Sequence, residues 1–299
     1  MSAFPASRVE AVPDKALSAV AWTGILSASG LVQIVWRVGF GGHRTVWIAV
    51  VQFGALLLLL GLVRTWRAVR PLTAFVSALA ALGGSFVALF LLERGTGFTA
   101  WTDRGPQYQV VPAESALLCL PTLVMLAVAF GFGFRRRQLF LAQGDVYAPS
   151  RIPGTSRRLN WSQLGPLAML LFAFPLCVQL ALTTHTHLHL LARLGEFLPL
   201  GIGFAAVNAA QEELRFRAVP LALAVPIVGG ERGIWMTATA FGLGHWFGHP
   251  SGPSGVALTL IAGLVLAKAM LETRGLFWPW AIHAVQDVLI FAFLVLASK

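Results

Sequence analysis

Near the C-terminus of this 299-residue chain, ionisable residues stand inside long apolar runs at spacings that could do chemistry. They are Glu212-Glu213-x-x-x-Arg217, Phe241-x-x-x-His245 and His283-x-x-x-Asp287. In a bilayer core such side chains cost at least about 2.5–3.5 kcal/mol each, which makes them functional-site candidates by default. Glu213 and Arg217 are four apart, on one helix face, where a carboxylate and a guanidinium pair. Glu212 projects about 100° away on a 3.6-residue turn, without that partner, and is free for chemistry. The same run, Gln211 to Arg217, also reads as a short solvated loop.

His245 stands near the end of an apolar helix, and Gly242, Gly244 and Gly248 leave room for another backbone or a substrate. A single intramembrane imidazole also reads as an interhelical hydrogen bonder. His249 shares its face at i, i+4, a spacing that suits a metal, but Trp246 occupies the Glu position of the H-E-x-x-H zinc motif. Beside Pro250, His249 reads as structural or solvated. His283 and Asp287 share one face of the last apolar segment, with Gln286 beside them, and each is costly unless it finds a partner. The two could simply pair with each other. At 1.5 Å rise per residue, Glu212, His245 and His283 can all reach one depth near the membrane middle. A carboxylate, two imidazoles and a second acid at one depth form an acid–base or metal constellation.

The elements that must position these groups are membrane helices. The chain is 57% hydrophobic and 11% charged, where a soluble domain carries roughly 25% charged residues. That excludes an ordinary soluble enzyme, a nucleic-acid-binding module and a disordered chain. The net charge of +10 comes from basic clusters between apolar runs, the pattern of cytoplasmic membrane loops. A span needs roughly 20 apolar residues, which predicts an all-α polytopic transmembrane helical bundle of about eight to nine spans. The runs are Ala16 to Trp36, Thr45 to Val63, Leu72 to Leu92, Ala116 to Phe134, Ser162 to Thr183, Leu198 to Val228, Ile234 to Gly248, Gly255 to Leu271 and Leu276 to Ala297. The first is too long for a signal-peptide core and reads as a span. The sixth is long for one helix, and Pro220 and Pro226 could kink or end it.

Arg64, Arg67 and Arg70 fill one loop, and Arg135, Arg136, Arg137, Arg151, Arg157 and Arg158 another. The stretch between them, Glu93 to Ser115, is nearly balanced in charge. The positive-inside rule therefore places both basic loops and the N-terminus in the cytoplasm of a multi-pass protein of the cell (inner) membrane. The loop from Arg135 to Trp161 divides an N-terminal membrane region, residues 1–160, from a C-terminal one, residues 161–299, that carries all three motifs. Cys119 and Cys177 lie in apolar runs and read as buried thiols. The tract His185, His187, His189 could bind a metal or sense pH but reads better as an external polar loop. Gln33, Gln52, Gln179 and Asn208 read as interhelical hydrogen bonders.

The three motifs, in this order and each within an apolar segment, resemble the CPBP family, also called the Abi or bacteriocin-processing family. Its members are intramembrane proteases related to the type II CAAX prenyl endopeptidase. The resemblance covers roughly Leu198 to Ala297 and implies an active site between the C-terminal helices. It implies cleavage of a membrane-anchored or lipidated protein substrate near its C-terminus, within the lipid bilayer and without nucleic acid. By this resemblance Glu212 is the general base that activates a water, with His245 assisting. Glu213 and Arg217 hold the helix, Phe241 packs beside the site, and His283 with residue 287 stabilises the tetrahedral oxyanion. Asn is common at that last position, whereas this chain has Asp287. An ionised Asp cannot donate to an oxyanion, so it must be protonated. Alternatively Glu212, His245, His283 and Asp287 ligate a divalent metal such as zinc. Some bacterial relatives are sorting enzymes that cut C-terminal anchors, and the Arg-, Ala- and Leu-rich composition keeps that role open.

Intramembrane charge and broken helices also mark transporters, although those show matched polar segments in two halves, and here the polar groups crowd into one third. A non-catalytic immunity or scaffold protein is the other rival, but such a relative should have lost a motif residue. Glu212, His245 and His283 are all present.

Overall fold

The computed structural model describes residues 15–42, 45–95, 97–151 and 158–298. Arg157 and the N-terminal stretch used for the orientation expectation lie outside the described residues. The chain is an all-α polytopic bundle. The N-terminal helices are α1 (Lys15–Ala28), α2 (Leu31–Phe40), α3 (Val46–Thr65), α4 (Thr73–Gly95), α5 (Phe98–Thr102), α6 (Gln107–Leu117) and α7 (Cys119–Gly131). A small antiparallel hairpin, β1 (Pro149–Arg151) with β2 (Arg158–Asn160), precedes α8 (Trp161–Thr183). The site-bearing helices follow: α9 (Leu191–Glu213), α10 (Val219–Val228), α11 (Gly230–Gly244), α12 (Gly252–Thr273) and α13 (Phe277–Leu296).

Among the described residues six helical stretches are long and apolar enough to cross a membrane, or seven if the bent pair α1–α2 counts as one. This corrects the expected eight to nine. The first apolar run is broken, and α1 meets α2 at 62°. The sixth fails on charge and continuity: α9 carries Arg193, Glu196, Glu212 and Glu213, and a π-helical turn separates it from α10. The seventh, α11, has 15 residues, about 22 Å of helix against a hydrocarbon core of about 30 Å. The stretch from Glu93 to Ser115 carries the helices α5 and α6. Its second half is α6, which runs with α7 as one span, Gln107–Gly131.

Outward faces are apolar: Leu58 is 78% exposed and Leu182 80%, positions that fit lipid and not water. Inside, one core joins the two halves of the chain. Leu56, Phe75 and Met125 from α3, α4 and α7 pack with Leu223 of α10 and Met236 of α11. A second core holds α8 to α12 and α13 through Trp161, Leu266, Trp278 and Ile282.

Local chemistry explains the element ends that matter for the site. α8 starts with a capping box in which Asn160 and Gln163 satisfy each other's backbone N–H groups. α10 stops at Gly229, whose φ of 89° a glycine adopts without steric penalty. The Arg-rich segment does not hang free. Asp145 N–H donates to Thr273 O at 2.8 Å and Leu276 N–H to Ala142 O at 2.8 Å, tying it to the α12–α13 turn. Trp161 Nε1 donates to Glu272 Oε2 at 2.8 Å, and Lys268 Nζ to Ser150 Oγ at 2.9 Å. At the opposite end of α13, His187 N–H donates to Leu296 O at 2.8 Å. His185 and His189 are exposed there.

The expected interhelical amides are present. Gln52 donates to the carbonyls of Ser27 and Ser29 and accepts from Gln33, Gln179 donates to Ser254, and Asn208 donates to Asp287. Both cysteines are free thiols and half-buried.

Candidate active site

Pro220 explains the irregular backbone at the first motif. It has no N–H for the carbonyl of Phe216, and its ring crowds that turn. The chain responds with a π-helical turn over Leu214–Ala218, in which Val219 N–H bonds Leu214 O. α9 therefore ends at Glu213 and the helix resumes as α10 without leaving the bundle. The second motif is placed by close approach of α11 to α12. A methyl group at Gly242 would lie 3.0 Å from Val256 O, and one at Gly263 2.9 Å from Ala238 Cα. α11 then ends, and His245 opens a 3-10 turn, His245–Phe247. His249 consequently shares no helix face with His245, which corrects the i, i+4 reading; it lies in the following loop and lines the same cavity. The third motif lies on α13, which packs along α9.

These elements bring Glu212, Glu213, Arg217, Phe241, His245, His283 and Asp287 together. Glu213 and Arg217 form a fully buried ion pair. The Arg217 guanidinium also lies 4.0 Å over the Phe241 ring, a cation–π contact that is strongest when desolvated. Glu213 Oε1 meets His283 Nδ1 at 2.8 Å. A carboxylate oxygen only accepts, so Nδ1 carries the proton and Nε2 is turned inward. Nε2 stands 3.6 Å from Glu212 Oε2 and 3.8 Å from Asp287 Oδ1. His245 is oriented by the same logic. Its Nδ1 lies 3.0 Å from Phe241 O, so Nδ1–H donates and Nε2 keeps a lone pair. The Phe241 ring separates the two imidazoles, with centroids 4.4 Å from His245 and 5.5 Å from His283.

Glu212 is not without a local partner. Arg215, at i+3, brings Nη2 to 3.6 Å from Glu212 Oε1. The reason is spacing: i+3 as well as i+4 lies on one face. Glu212 Oε2 nevertheless has no hydrogen-bond partner, although it is buried. Asp287 is held differently. Its Oδ2 accepts from Asn208 Nδ2 at 3.1 Å, Asn208 Oδ1 accepts from Gln211 at 3.0 Å, and Thr122 lies 3.4 Å from Gln211 Oε1.

This relay crosses from α7 through α9 to α13. Asn208 reads from sequence only as a helix bonder, yet its spacing of three from Gln211 and four from Glu212 marks the same face. Thr122, far away in α7, has no sequence signal.

His245, His283 and Asp287 line a cavity of about 70 Å³ with apolar walls from Phe172, Leu176 and Leu266. The donors present do not form a metal cage. Among the described residues no three His, Cys, Asp or Glu side chains converge as ligands. What the arrangement can do is acid–base chemistry on a water: His245 and His283 line the cavity, and Glu212 Oε2 stands 3.6 Å from His283 Nε2.

Comparison with known proteins bears on the same stretch. Residues 194–289 match the family described as type II CAAX prenyl endopeptidase, Rce1-like, the family to which the three motifs point. No curated protein and no solved structure matches the chain. The match takes in all three motifs and supports a CAAX-type endopeptidase in general.

Proposed function

We propose, from an Rce1-like C-terminal region within a polytopic bundle, that this chain is an intramembrane endopeptidase. It hydrolyses a peptide bond near the membrane-anchored C-terminus of a protein substrate. The observation that carries the reading is Glu212 Oε2, a buried carboxylate oxygen without a hydrogen-bond partner, 3.6 Å from His283 Nε2. Glu213 also leaves Oε2 without a partner, but its Oε1 is held by Arg217 and His283, whereas the contacts of Glu212 to Arg215 and His283 stand at 3.6 Å. In the cycle we propose, Glu212 takes a proton from water, and His245 Nε2 accepts the water's other hydrogen to orient it. The hydroxide adds to the scissile carbonyl carbon. His283 Nε2–H donates to the oxyanion, and the negative charges of Glu213 and Asp287 favour the protonated imidazole that can do so. Glu212 then returns its proton to the leaving amine, the C–N bond breaks, and an acid and an amine result.

Asp287 fits best as the counter-ion of His283, because Oδ2 accepts from Asn208 while Oδ1 faces His283 Nε2 at 3.8 Å. This assigns the oxyanion contact to His283 and leaves Asp287 as a positioning residue. The basic segments fit a cytoplasmic side in a cell-membrane protein, and the region up to residue 160 fits the role of a wall around the C-terminal site. A sorting role, removal of C-terminal anchors from exported proteins, is the specific form we favour.

The test is mass spectrometry of C-terminal peptides and intact masses in cells carrying wild-type protein or Glu212→Gln. Proteins shortened at the C-terminus only with wild type establish the activity and name its substrate. Identical C-termini, with the variant stably inserted and the proteome matched, refute it and point to transport or a scaffold.

A further inference from the structure

Arg215 belongs to no motif, yet its side chain is 5% exposed, and its Nε and Nη1 have no acceptor. Among the described residues its ionic partner is Glu212, at 3.6 Å. Its guanidinium also rests near Phe216 and Phe86, at 4.7 and 5.8 Å from the ring centroids. Buried donors are normally satisfied; Arg217 also has two unpaired nitrogens, but it is fully buried against Glu213, whereas Arg215 stands beside open space. Arg215 borders a cavity of about 220 Å³ lined mainly by α1, α2, α3 and α4. Its polar wall is built from Ser27, Ser29, Gln33, Thr45 and Gln52. Gln52 is itself held in place, donating to Ser29 O at 2.9 Å and Ser27 O at 3.1 Å. No described residue lining this cavity is acidic, so its chemistry suits an anion.

The chemistry of that anion follows from place. Gln52 and Phe86 stand inside the spans Val46–Thr65 and Arg67–Arg94, and Thr45 at the end of the first also lines the cavity, which therefore reaches inward from a helix end. Arg215 is also the direct neighbour of Glu212, so an anion bound to it lies about one side chain from the reacting water. The two cavities then flank the proposed scissile bond, one apolar and one polar and basic.

We propose that Arg215 and the cavity lined mainly by α1–α4 bind a carboxylate on the released side of the substrate's scissile bond. This rests on the endopeptidase reading, and it names a substrate feature that reading leaves open. The carboxylate is either the chain's terminal α-carboxylate or an Asp or Glu side chain close to it. Arg–carboxylate pairing would satisfy the idle nitrogens and draw the guanidinium off Glu212.

The test uses the full chain in phosphatidylcholine nanodiscs and three N-methylated Leu/Ala peptides that resist hydrolysis. One ends in a free carboxylate, the second in a carboxamide, and the third in a carboxamide with one Asp close to the end. Binding is read by displacement of a fluorescent analogue. At least one carboxylate peptide should bind about tenfold or more tightly than the plain amide, in line with a hydrogen bond to a charged group. Which one does so identifies the source of the carboxylate. The advantage should vanish in Arg215→Gln and shrink in Gln52→Leu, and the comparison on wild type needs no variant to fold. Equal binding of all three peptides overturns the proposal, as does an advantage that survives Arg215→Gln. Loss of the advantage when phosphatidylglycerol is added also overturns it and assigns the cavity to lipid phosphate. Because hydrolysis is not read, unchanged C-termini in cells would sink the protease reading while leaving this binding ratio to be judged alone.

Discussion

At the scale of single residues, the two adjacent acids have different work. Glu213 is held through Oε1 by Arg217 and His283, whereas Glu212 faces Arg215 and His283 only at 3.6 Å and keeps Oε2 without a hydrogen bond. Glu212→Gln should therefore lower turnover by about 10²–10⁴-fold, the usual reach of general-base catalysis. Some thermal stability should be lost with it, because buried Arg215 loses its counter-charge, so turnover is compared per inserted protein. An active Glu212→Gln protein would remove this residue from the mechanism. Arg217→Ala should act chiefly on stability. It leaves Glu213 buried and half-paired, at a cost of about 3–5 kcal/mol, read as loss of thermal stability or of inserted protein. Replacing both members by apolar residues, Glu213→Leu with Arg217→Met, should recover much of that stability without activity, because a buried ion pair is no better than well-packed hydrocarbon.

At the scale of elements, the π turn between α9 and α10 sets the direction of the first motif. Pro220→Ala restores an N–H and lets an α-helical bond form to Phe216 O. Closing the π turn rotates α9 against α10, so Glu212 swings from His283 while helix content is unchanged. Circular dichroism should match wild type and proteolysis should fall; retained activity would mean that the turn is incidental. The same scale explains His245. It stands where α11 stops, so its Nδ1 reaches the Phe241 carbonyl, four residues back. Substituting Gly242 with Leu should force α11 away from the α12 backbone and misplace this imidazole.

At the scale of the whole molecule, the N-terminal helices are part of the site's surroundings and not a detached anchor. α1, α3, α4 and α7 share a core with α10 and α11, and Thr122 of α7 completes the relay to Asp287. The hairpin and the basic segment are fastened to the α12–α13 turn, so the sidedness of one is the sidedness of the other. If the positive-inside expectation holds, Arg136→Cys in an otherwise cysteine-free chain should resist an impermeant thiol reagent added outside intact cells, and should label after permeabilisation. Labelling from outside would invert the bundle and move the α12–α13 turn to the outer face.

Composition and apolar runs alone determined that the chain is a helical membrane protein, because transfer of that much hydrocarbon is decided by residue type and not by arrangement. The motif residues were likewise legible, since charge within apolar segments stands out whatever the fold. The i, i+4 rule carried the Glu213–Arg217 pair because it is local. It missed that Glu212 also has a neighbour in Arg215, and it placed His249 on a helix that ends before it. Span number was misread because hydropathy does not see a 62° break, a π turn or a helix that stops short. The relay from Thr122 to Asp287 and the cavity that holds Arg215 join residues far apart in sequence. Their meeting is decided by helix packing, for which no local spacing rule exists, so only the tertiary structure could bring them together.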